Sequence, residues 1–208
     1  WFHSFLRVAF HSTMSLPMAF PFSNCELNYT WSENSLLQFI EDALNNVDKN
    51  YYSIVTGDND RQKIVFRERV FCYEFYHQMR RIQETSRFSI NIDAEINKSG
   101  HEVIEEDFDP DFVIHKRGSM RKNYAVIEVK MRLENFRKDF ETLCCTINKY
   151  NYKCGVFILL NNSYDKFVEK AREKLKSICF QVAKDKIYVF CKENKESDLT
   201  IKKLSEII

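Results

Sequence analysis

At 208 residues, with 44% hydrophobic and 14% aromatic side chains but only four Gly and three Pro, the chain is built for one folded domain, which excludes a disordered or low-complexity protein. A net charge of +1 excludes a strong overall field, so any affinity for a polyanion has to be local. Seven cysteines, an odd number without CxxC spacing, argue against a zinc site and for reduced thiols in a cytoplasmic protein.

In chain order, the apolar start is broken by Arg7, His11 and Pro17 and falls short of the ~20 residues of a membrane span; Met14 is a candidate start. Thr30-Trp31-Ser32-Glu33 has capping-box spacing, and Leu36, Leu37, Phe39, Ile40 and Leu44 follow at helical intervals, which predicts a helix to Val47. That helix is a candidate homodimer or partner-protein surface. Asp48 to Asp60 reads as a loop, so residues 1–60 form an N-terminal extension and residues 61–208 the main domain. A second helix is predicted from Gln62 to Glu84, with Val70, Tyr73, Phe75, Tyr76 and Met79 on its apolar face, and it carries Glu74, His77 and Gln78.

Phe88, Ile90, Ile92, Ala94 and Ile96 then alternate with polar residues, the period of a half-buried strand with Asp93 and Glu95 on its other face. An acidic loop from Glu102 to Asp109 ends at Pro110, and Asp111 to His115 is a short strand that turns near Gly118 into the strand Tyr124 to Lys130. A helix over 134–150, an apolar strand over 155–160, a helix over 163–178, a strand over 186–191 and a polar tail with a last short helix complete the chain. Tyr150 and Tyr152, which lead into the 155–160 strand, read as core or rim. The order predicts one mixed sheet flanked by helices, an α/β fold.

Strand geometry places Glu128 and Lys130 on one face and turns Ile127 and Val129 to the other. Charges set in an apolar strand need partners or a metal, because burying them alone is costly. A hairpin through Gly118 brings Asp111 alongside Glu128. Two converging carboxylates suit Mg²⁺, which keeps several waters and takes the rest of its shell from one or two carboxylates and substrate phosphate. Lys130 would orient an attacking water or stabilise developing negative charge.

Pro110-Asp111, an apolar strand and Glu128-Val129-Lys130 resemble the PD-(D/E)XK nuclease superfamily, over roughly residues 62 to 160. The resemblance implies a restriction-endonuclease-like three-layer α/β/α sandwich with an αβββαβ core, in which 61–208 is the nuclease domain. It implies an endonuclease that hydrolyses phosphodiesters with Mg²⁺, or Mn²⁺ in its place, and takes DNA ahead of RNA. Asp111 and Glu128 would bind the metal, Lys130 assist the water, and Glu74 complete the site, with Glu95 its rival as a further ligand. A non-catalytic member of the fold that binds nucleic acid or a protein is the alternative, and a hydrolase of other phosphate esters a third. Lys116, Arg117, Arg121, Lys122 and Arg132 form a local basic run that would track phosphates, with His77 and Gln78 as further substrate contacts.

Overall fold

The computed structural model describes residues 31–57, 62–86, 90–94, 109–119 and 121–208. The N-terminal apolar run with Met14, Thr30, Glu95 and the acidic loop up to residue 108 lie outside the described residues.

Four helices and eight strands are described. Helix α1 (Glu33–Asn45) is capped by Ser32, whose Oγ accepts from the Ser35 amide at 3.1 Å. Its apolar residues Leu36, Phe39, Ile40, Ala43 and Leu44 are buried in the core. The segment read as a loop instead holds a short 3-10 turn (Lys49–Tyr51) and strand β1 (Ile54–Thr56). Strand β1 pairs antiparallel with β2 (Lys63–Val65), which occupies the first residues of the predicted second helix. Both segments are rich in β-branched side chains, which favour extended backbone. Strands β1 and β2 thus lie on either side of the division placed after residue 60.

Helix α2 therefore starts later, at Glu68, and runs to Thr85. Its buried stripe is Phe71, Phe75, Gln78 and Met79, while Tyr73 is 63% exposed. The predicted face was rotated around the helix.

The remaining strands form one six-stranded sheet in simple spatial order: β3 (Asn91–Ala94), β4 (Phe112–His115), β5 (Asn123–Lys130), β6 (Cys154–Leu160), β7 (Ile187–Lys192) and β8 (Thr200–Lys203). Strands β3, β4 and β5 are antiparallel, β5 to β7 parallel, and β8 returns antiparallel. Helix α3 (Arg137–Tyr150) joins β5 to β6, and α4 (Tyr164–Lys174) joins β6 to β7, as parallel neighbours require a crossover. Strand β8 takes the place of the predicted final helix, with only a 3-10 turn (Leu204–Glu206) after it.

The sheet is covered on both faces. Ile127, Val129, Val156 and Ile158 pack with α1 and α2, and Val126, Phe157, Leu159 and Val189 pack with α3 and α4. Tyr150 and Tyr152 are core residues of this second layer, 8% and 2% exposed. Cys144, Cys154 and Cys191 are buried thiols. No described helix is long and apolar enough to cross a membrane.

Candidate active site

Strand β5 is buried at every position from Asn123 to Val129, and Lys130 is half-buried at its end. Because Val126 faces the α3 and α4 layer, Glu128 and Lys130, two and four residues on, project to that same side. Phe112 lies opposite Ile127, so the register carries Asp111 to a place opposite Glu128. The aspartate is fixed there by its own neighbour strand: Asp111 Oδ2 accepts from the Val129 amide at 2.7 Å. In return, the Asp111 amide donates to the Glu128 carboxyl. The predicted meeting of the two carboxylates is thus present, clasped by reciprocal main-chain bonds.

Two residues outside the sequence reading join them. Lys130 Nζ lies 3.3 Å from Asp139 Oδ1, on the first turn of α3, and 3.7 Å from Glu68 Oε1, at the start of α2. Glu68 Oε2 also accepts from the Met131 amide at 3.0 Å, which pins the chain just beyond β5. Both acids left a signal in the sequence. Asp139 stands on the core stripe formed by Phe136, Phe140, Leu143 and Ile147, and Glu68 heads the stripe of Phe71 and Phe75. Each is a charge on an otherwise apolar stripe.

Glu74 does not take the role foreseen for a carboxylate on this helix. Six residues past Glu68, it is turned about 120° around α2 and displaced about 9 Å along it. It accepts from the Gln78 side chain instead. His77 is exposed on α2, and Gln78 is 6% exposed and engaged with Glu74.

Electrostatics follow from the packing. Burial, then the nearby charges of Asp111 and Asp139, hold Glu128 well above the ordinary carboxylate range; Lys130 and the Asp111 amide offset this only in part. Burial likewise pushes Asp139 up to about 6 despite its contact with Lys130. Asp139 Oδ2 is buried without a hydrogen-bond partner. For Lys130 burial opposes the charge, but Asp139, Glu68, Asp111 and Glu128 outweigh it and hold the ammonium above its usual value. The site carries an excess of negative charge that its one lysine does not cancel.

Asp111 and Glu128 are the two adjoining carboxylates that could hold a divalent cation. Among the described residues no three His, Cys, Asp or Glu side chains converge to cage an ion.

The basic run divides. Arg132 is exposed two residues beyond Lys130. Lys116, Arg117, Arg121 and Lys122 belong to the turn at the opposite end of the β4–β5 hairpin, where Gly118 adopts φ +73°. At 3.2–3.4 Å per residue they stand roughly 16–20 Å from Asp111 and Glu128 along the strands. Arg117 is moreover bonded to Asp93, which also contacts His115 Nε2 at 2.7 Å. Burial works against the Asp93 charge, but hydrogen bonds from Arg117 and His115 prevail and hold its carboxyl below the usual range.

Comparison with protein-family models, with characterised proteins and with solved structures finds no match.

Proposed function

We propose that the protein is a Mg²⁺-dependent nuclease that hydrolyses nucleic-acid phosphodiesters, DNA ahead of RNA. The observation that carries this is the pairing of Asp111 with Glu128 across β4 and β5, with Lys130 one strand step further on the same face. The order α2, β3, β4, β5, α3, β6 supports the restriction-endonuclease-like reading, since it repeats the αβββαβ order of that core. Free thiols buried in the core suit a reducing compartment, and we place the protein in the cytoplasm.

Asp111 and Glu128 would hold Mg²⁺, or Mn²⁺ in its place, which when bound neutralises phosphate charge and makes water a better nucleophile. In the hydrolysis a water oxygen bonds to phosphorus while one P–O ester bond breaks, and the leaving oxygen takes up a proton. Lys130 is kept protonated by Asp139 and Glu68, so it has no lone pair with which to accept a proton. Its role is to present positive charge to the phosphoryl oxygens as negative charge develops on them. Asp139 and Glu68 are positioning residues that aim the ammonium.

One observation favours a second reading, a non-catalytic nucleic-acid-binding protein. A lysine held between two carboxylates is also what a purely structural ion pair looks like. Incubating single- and double-stranded DNA and RNA with Mg²⁺, Mn²⁺ or EDTA separates the two. Metal-dependent cutting that disappears in Asp111→Ala supports the nuclease; binding without cutting under every condition supports the alternative.

A further inference from the structure

Beside the site, at the carboxyl ends of the parallel strands β5 and β6, lies an open cleft of about 710 Å³. Site and cleft share one residue: the Met131 amide is bonded to Glu68, and the Met131 carbonyl accepts from Asn162 Nδ2 at 3.1 Å, in the cleft wall. Phe66 stands on the rim, 39% exposed, two residues before Glu68 and so within about 7 Å of it along the chain. Across from β5, helix α4 presents Lys166, Glu169, Lys170 and Glu173, which recur at the spacing of one helix face.

The lining is balanced in charge. Arg132, Lys166 and Lys170 line it together with Glu134, Glu169 and Glu173. A groove that only tracked phosphates would be basic throughout. An exposed ring, cations and carboxylates within one concave space instead match the parts of a nucleotide: a π-face, a phosphate, and a base edge with N–H donors. The volume lies in the range of sites that enclose one small ligand, about 300–1,000 Å³.

Resting on the nuclease reading above, we propose that this cleft binds one unpaired nucleotide of a single-stranded nucleic acid and so delivers the adjoining phosphate to Asp111, Glu128 and Lys130. Phe66 stacks on the base, Arg132, Lys166 and Lys170 neutralise its phosphate, and the glutamates accept from the base edge. The preferred substrate is accordingly a single strand, an overhang or a frayed end.

The test is equilibrium binding in EDTA, which halts cutting, of fluorescent single-stranded DNA, single-stranded RNA and the matched DNA duplex. It compares wild type, Phe66→Ala, Phe66→Trp and Lys166→Ala/Lys170→Ala, all at exposed or half-exposed positions. The proposal predicts at least about tenfold tighter binding of a single strand than of the duplex. Phe66→Ala should weaken single-strand binding about 5- to 150-fold, the range measured for loss of one stacked base, and Phe66→Trp should retain it. The double lysine variant should also flatten the salt dependence for single strands. Equal affinity for strand and duplex, or single-strand affinity untouched by Phe66→Ala, overturns the proposal. Cleavage with Mg²⁺ is scored separately, so an inert protein that still prefers single strands through Phe66 defeats the nuclease reading and leaves the cleft standing.

Discussion

Replacing Asp111 by Asn should make the metal-free protein more stable. Directly opposed residues on antiparallel strands have Cβ atoms about 4.5–5.5 Å apart. Two carboxylates at about 5 Å repel by about 3 kcal/mol at an effective dielectric near 20. Part of that is already relieved in the wild type, because Glu128 is pushed towards its protonated form by burial and by Asp111. The variant also exchanges a charge-assisted hydrogen bond from the Val129 amide for a neutral one, a loss of about 1 kcal/mol. The balance is a gain of about 1–2 kcal/mol, or on the order of 2–8 °C in Tm for a domain of this size. A cation present at 100 times its Kd should raise wild-type stability by about 2.7 kcal/mol and leave Asp111→Asn unmoved. Thermal and urea unfolding in EDTA and in excess Mg²⁺ measure both effects. The reasoning fails if Asp111→Asn is less stable than wild type in EDTA, or if the ion stabilises both proteins equally.

Three further predictions concern the scaffold. Phe140 is fully buried, with ring centroids 4.7 Å from Phe157, 6.0 Å from Phe136 and 6.2 Å from Phe167, so Phe140→Ala should cost about 3–5 kcal/mol in urea unfolding. Gly155 lets α3 lie close on β6: a Cβ there would meet Leu143 Cδ2 at 3.2 Å and Ile147 Cδ1 at 3.3 Å. Gly155→Val should therefore lose about 1–3 kcal/mol, read from the shift in denaturation midpoint. The Asp93 carboxyl has a folded pKa below its unfolded one, so its contribution is complete above the unfolded pKa and is lost as pH falls through the folded value. Asp93→Asn should thus be less stable than wild type at neutral pH, with the gap closing below about pH 4 as urea midpoints are followed into acid.

The sequence reveals what contradicts its own surroundings. Glu128 and Lys130 stood out as charges in an apolar strand, and strand parity placed them on one face without any coordinates. The β4–β5 hairpin followed from Pro110 and Gly118. What stayed hidden depends on phase or on partners far away in sequence. The predicted face of α2 included Tyr73 and missed Phe71, and Glu74 came from the resemblance, whereas the packed helix brings Glu68 to Lys130. Strands β1 and β2 are three residues each, too short for an alternation to register, and stable only as a pair. Strand β8 reads as a polar tail because it is an edge strand of intermediate and exposed residues, defined by its pairing with β7. The basic run was legible as composition, but only the hairpin's length shows that most of it lies at the far end of the sheet from the carboxylates.

The central claim is that Asp111 and Glu128 hold the cation while Lys130 acts on the reacting phosphate. The most direct measurement is the single-turnover cleavage rate of a single-stranded oligonucleotide across a Mg²⁺ titration, for wild type, Asp111→Asn, Glu128→Gln and Lys130→Ala. The account predicts no cutting at any practical Mg²⁺ concentration in the two carboxylate variants. Lys130→Ala should keep the Mg²⁺ midpoint but cleave about 10²–10³-fold more slowly at saturation. Undiminished cleavage in Asp111→Asn, or a Lys130→Ala enzyme as fast as wild type, would contradict it.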